Sequence, residues 1–142
     1  MKSIFEGYPI VDGTYEDAIS YVRVLQYVAA IDGIHNDEKA GIKTLIKSNN
    51  WSDKCYDDAL AKKISSISDL NLSEEVKKTF APYLLRDSIG IAYIEGGYSN
   101  DEQNQIKLIA EELNISSSAL NLIEEAVKHQ ISATEKWSKS IC

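Results

Sequence analysis

Val28-Ala29-Ala30-Ile31-Asp32-Gly33-Ile34-His35-Asn36-Asp37-Glu38-Lys39 decides the fold, because the chain later repeats its grammar. The second statement is Ile91-Ala92-Tyr93-Ile94-Glu95-Gly96-Gly97-Tyr98-Ser99-Asn100-Asp101-Glu102-Gln103. In both, an apolar run ends in an acid and a glycine, the residue that tolerates positive φ just past a helix end. In both, Asp-Glu then opens a new segment, and Ser99 with Glu102 forms a full capping box. The loops differ by one residue, and the likeness continues into Ile42-Lys43-x-Leu45-Ile46 and Ile106-Lys107-Leu108-Ile109. Two copies argue for an internal repeat of helix, acidic loop and helix.

Working outward, Thr14 with Asp17 nearly makes a capping box and starts a helix over Tyr15–Ile31. Its surface is apolar except for a narrow stripe of Ser20, Arg23 and Gln26, so it must be buried on most sides. The partner helix runs to about Ser48. Pro82 suits a first helical turn, and Tyr83 to Ile94 is again mostly apolar, broken by Arg86, Asp87 and Ser88. Between the repeats, Ser52 and Ser73 read as caps of two shorter helices joined through Ile64 to Asp69. A last helix begins at Ser116 to Ser118 and carries Leu120, Ile123, Val127 and Ile131, with a fraying tail after Ser132. The expectation is an all-α, single-domain bundle of about seven helices over residues 1–142, with repeat units at about 15–48 and 82–114 and a terminal tail at about 132–142. The helices Tyr15–Ile31 and Tyr83–Ile94 should lie side by side at its centre.

Composition agrees. Of 142 residues, 44% are hydrophobic and 26% charged, too apolar for disorder and too charged for a membrane bundle. Seven Gly and two Pro leave few turns for a many-stranded fold. A net charge of −7 argues against nucleic acid, whose phosphates are bound by clustered cations. The N-terminus lacks a signal-peptide core, and no apolar run approaches the ~20 residues of a membrane span, so a cytoplasmic protein without membrane contact is expected. Cys55 and Cys142 have no CxxC or Cys/His spacing and read as free thiols. No nucleophile elbow, phosphate loop or dinucleotide motif is present, and no enzymatic activity is expected.

The doubled pattern of apolar helix, acid-Gly, spacer and acidic-Glu-Lys resembles the TerB-like family, small all-helical proteins first named from tellurite-resistance operons. The likeness covers about Tyr21 to Ser48 and Leu84 to Leu120, with Leu85-Arg86 ahead of the second loop. It implies an α-helical bundle, acidic clusters that hold a divalent metal, and a role in chemical-stress resistance as an interaction module. The first copy keeps the pattern at Asp32, Gly33, Asp37, Glu38 and Lys39. The second departs from it, with Glu95 for Asp, an extra Gly97, and Gln103 for Lys.

Carboxylates in a first helical turn satisfy orphan N–H groups, which alone accounts for Glu38 and Glu102. Asp32 and Glu95 stand at helix C-terminal ends, where a negative charge opposes the dipole by ~0.3–1 kcal/mol that a nearby cation would remove. Asp32, Asp37 and Glu38, with Glu95, Asp101 and Glu102 from the second copy, are therefore candidate oxygen ligands for Ca²⁺ or Mg²⁺ rather than Zn²⁺. The spacing is not that of an EF-hand. A second reading needs no metal: an acidic protein without catalytic groups also suits an immunity protein that masks the active site of a basic, nuclease-type toxin. Trp51, Tyr56, Asp57, Asp58 and Tyr98, where aromatic and acid mix, are its candidate partner-binding face.

Overall fold

In the computed structural model the residues described are 14–32, 35–61, 66–70, 72–74, 76–94 and 98–141. The first helix, α1 (Tyr15–Ala29), starts where Thr14 Oγ1 accepts from the Asp17 N–H at 3.2 Å and the Asp17 carboxylate accepts from the Thr14 N–H at 2.9 Å. A 3₁₀ turn over Ala30–Asp32 ends it, as the acid-Gly signal predicts. Then come α2 (Asn36–Ser48), α3 (Cys55–Leu60), a 3₁₀ turn (Ile67–Leu70), a π segment (Val76–Phe80), α4 (Ala81–Tyr93), α5 (Asn100–Glu112) and α6 (Ser117–Ile141). Among the described residues there is no strand, and six α-helices stand where about seven helices were expected. Ser73 does cap, accepting from the Val76 N–H at 3.2 Å. The turn it starts is a π segment that runs straight into α4, which makes one element of two predicted ones.

α1 and α4 do pack side by side, and the apolar core draws on every α-helix. Burial of α1 is more complete than the sequence suggests, since Ser20, Arg23 and Gln26 are buried too. Gln26 Nε2 donates to the Tyr56 carbonyl at 2.9 Å and Arg23 Nη1 to the Leu70 carbonyl at 3.3 Å, so α3 and the Ile67–Leu70 turn cover the stripe. Between α1 and α4, the Tyr21 hydroxyl donates to the Asp87 carboxylate. Arg86 Nε and Nη2 donate to the other oxygen of Asp87 at 3.0 and 2.9 Å.

The two copies end alike. Asn50 and Asn114 both adopt the left-handed region, at φ 58° and 57°. The Trp51 N–H donates back to the Ile46 carbonyl and the Ile115 N–H to the Ala110 carbonyl, a Schellman closure in each copy. The copies also cross reciprocally. Gly41, in the second turn of α2, lies against Ile91 of α4 and Ile94 just past its end, and Gln105, in the second turn of α5, accepts from the Tyr27 hydroxyl of α1 at 2.9 Å. The ends of α1 and α4 and the starts of α2 and α5 therefore share one end of the bundle.

α6 packs on α4 and α5 and buries Leu120 and Val127, with Ile123 and Ile131 partly buried. The predicted fraying tail is instead helix to Ile141, with residues 132–141 exposed. This stretch has neither Gly nor Pro, and it contains strong helix formers such as Ala133, Glu135 and Lys136. Among the described residues no helix is long and apolar enough to cross a membrane.

Candidate functional site

The acidic end of the bundle is built by two helix starts. Glu38 Oε1 accepts from the His35 N–H at 3.2 Å, and Glu102 Oε1 from the Ser99 N–H at 3.0 Å, while Ser99 Oγ accepts from the Glu102 N–H at 3.2 Å. The two glutamates are 3% and 4% exposed, so both are buried caps. Their neighbours Asp37 and Asp101 face solvent. Asp32 is the last residue of the 3₁₀ turn after α1. The Asp32 side chain and Glu95, both predicted ligands, lie outside the described residues. Among the described residues no three His, Cys, Asp or Glu side chains are grouped to hold an ion. The backbone adds its own field at this end: the last carbonyls of α1 and α4 carry the negative ends of two helix dipoles.

The predicted partner face is taken apart by the packing. Tyr56 is 2% exposed, not at the surface, because α3 packs on α1 and the face carrying Cys55, Tyr56 and Ala59 enters the core. The Lys39 and Lys43 ammonium groups sit 5.6 and 5.3 Å from the Tyr56 ring centre. Trp51 is half-buried, edge-on to Tyr21 at 5.5 Å and 67°. Asp57 and Asp58 are exposed, and Asp58 accepts from the Tyr15 hydroxyl, a hydrogen bond that pushes the Tyr15 phenol up to about 12. Tyr98 is half-buried against Tyr93 at 5.4 Å, and burial first, then the charge of Glu124, pushes its phenol far up. Cys55 is buried, its thiol pushed up to about 11 chiefly by burial, which keeps it from acting as a thiolate ligand.

A feature missed in the sequence is a cleft of about 580 Å³ where α2, α4 and α6 meet. Gly41 and Gly90 line it together with Arg86, Asp87 and the Val127–Glu135 stretch of α6. Burial pushes the Asp87 carboxyl above its usual range, against the opposing pull of the Arg86 charge and of the hydrogen bonds from Tyr21 and Arg86. The available signal was a pair of glycines in helix interiors, where glycine weakens a helix.

Helix order and the internal repeat define an all-α bundle, and its likeness to a solved structure gives it the TerB-like fold. A tellurite resistance protein from Nostoc punctiforme PCC 73102 is structurally similar at a TM-score of 0.73, with 91% of this chain and 82% of that one covered at 18% sequence identity. No family model matches the sequence, and no curated protein matches it.

Proposed function

We propose that the protein is a non-enzymatic binding module of tellurite-resistance type, acting in chemical-stress resistance. Its acidic end would hold a divalent cation, Ca²⁺ or Mg²⁺, a basic protein partner, or both. The observation that carries this is the convergence at one end of two carbonyl-terminated helices, α1 and α4, and two acid-rich helix starts, α2 and α5. Hard cations take oxygen ligands, and this end offers carboxylates and helix-terminal carbonyls together. With Glu38 and Glu102 tied into caps, Asp37 and Asp101 are the acids left to act, with Asp32 and Glu95 as further candidates. The fold shared with a tellurite resistance protein supports the resistance role.

Calorimetric titration with Ca²⁺, Mg²⁺, Mn²⁺ and Zn²⁺ tests the cation. Binding tighter than ~1 mM, lost in Asp32→Asn or Asp37→Asn and kept in Glu102→Gln, supports it. No heat and an unchanged melting temperature at millimolar ion would end it. The alternative, an immunity protein masking a basic nuclease toxin, keeps the exposed Asp57 and Asp58 but loses Tyr56 as an anchor. Affinity capture of a basic toxin domain from host lysate would favour it.

A further inference from the structure

The internal repeat supplies a template for what is missing from the cleft. Aligning Val28 with Ile91 and Ile42 with Ile106 pairs Tyr27 with Gly90 and Gln105 with Gly41. At one crossing the chain fills the space between the helices with the Tyr27 ring, whose hydroxyl donates to Gln105 at 2.9 Å. At the other crossing the same two positions are glycines, and the cleft lies there.

The two glycines are not alike. A Cβ at Gly41 would sit 2.8 Å from Ile94 Cδ1 and 3.1 Å from Ile91 Cδ1, so a side chain there must push the ends of these two isoleucines aside. A Cβ at Gly90 would meet nothing within 4 Å. Gly90 thus weakens the interior of α4 with no packing requirement to explain it, and its effect is to keep the cleft open.

The lining selects a chemistry. Leu45, Ile91, Val127 and Ile131 give apolar walls, and about 580 Å³ falls in the range of small-molecule sites. Thr44 and Thr134 spend their hydroxyl protons on the Ala40 and Gln130 carbonyls, each at 2.9 Å, so their oxygens remain as acceptors. Arg86 and Asp87 neutralise each other, and Glu135 makes no ion pair among the described residues. The lining therefore carries one net negative charge, at Glu135, with the two threonine oxygens as further acceptors, which suits a group with several donors and a positive charge.

We propose that this cleft binds a small aromatic ammonium compound, its ring lying where the Gly90 position lacks the side chain that Tyr27 supplies in the other copy, and its protonated amine facing Glu135 and the two threonine oxygens. The site uses none of the acidic residues at the helix starts.

The test uses the full chain and three matched probes, 1-naphthylmethylamine, 1-naphthylmethanol and 1-naphthoate, titrated by NMR with amide shifts as the readout. The amine should shift amides of α2, α4 and α6 around the cleft and bind roughly tenfold more tightly than the carboxylate. Gly90→Tyr, which supplies the chain's own ring, should abolish binding while the protein stays folded. Gly90→Ala, milder, should weaken binding and raise the melting temperature. Glu135 is exposed, so Glu135→Gln should cost the amine only about two- to fivefold and leave the alcohol unchanged. Equal binding of all three probes, shifts outside the cleft, undiminished binding to Gly90→Ala, or no binding at millimolar amine would overturn the proposal.

Discussion

Replacing Tyr21 with phenylalanine removes one oxygen from the middle of the α1–α4 contact and leaves the ring in place. That hydroxyl is fully enclosed and donates to Asp87, whose other carboxylate oxygen is held by Arg86. A hydrogen bond to a charged group contributes about 1.5–3 kcal/mol. In a chain of this length each kcal/mol moves the melting temperature by about 2–4 °C, so Tyr21→Phe should melt roughly 3–12 °C lower near neutral pH. The loss should depend on pH. Burial raises the Asp87 carboxyl above its unfolded value, so the stability that Asp87 contributes is present at low pH and is lost as pH rises through the folded value. Deleting a donor that favours the carboxylate raises that value further. The deficit should therefore be largest near neutrality and shrink toward about pH 4, where a protonated Asp87 no longer needs a charge-assisted donor. Thermal denaturation followed by circular dichroism across this range is the measurement. A deficit that stays constant, or grows toward acid, would refute the account of Asp87 as a buried carboxylate held ionised by Tyr21 and Arg86.

Other substitutions separate packing, capping and burial. Gly90→Ala should stabilise by about 0.5–1 kcal/mol, whereas Gly41→Val, pressed against Ile91 and Ile94, should destabilise by about 1–3 kcal/mol; urea midpoints compare the two. Glu102→Ala should cost about 1 kcal/mol as a lost cap and Asp101→Ala no more than a few tenths, so similar losses in melting temperature would deny the capping role. Arg23→Met should raise the melting temperature, because among the described residues the buried guanidinium donates only to the Leu70 carbonyl and its Nε has no partner; a fall of several degrees would show that the charge is better compensated than these contacts indicate.

What could be read from the sequence was whatever depends on a local rule. The boxes at Thr14 and Ser99, Pro82 in the first turn of α4, and the narrowness of the polar stripes on α1 and α4 each state a local preference, and the fold honours them. Asn50 and Asn114 escaped notice because asparagine takes the left-handed region at only a minority of its positions. Tyr56 was misplaced because six residues of α3 are too few to show a period, and its burial is decided by α1, distant in the chain. The acids of the candidate site were legible as a repeated pattern, and the role of Glu38 and Glu102 as caps was legible with them. The cleft was not, since three separate segments build it and only its glycines carry any trace in the sequence.

The reciprocal crossing of the two copies also constrains how the chain reaches this state. Tyr27 and Gln105 are 78 positions apart, and Gly41 must find Ile91 and Ile94 across the whole middle of the chain. Neither helical pair can shield its apolar face until the other arrives, so loop closure precedes most of the gain from burial. Folding should then be governed by one distant encounter rather than by the growth of local helices. The same geometry lets a half from one molecule seat on the complementary half of another, so crowded refolding should yield exchanged dimers that keep every contact of the monomer's crossing.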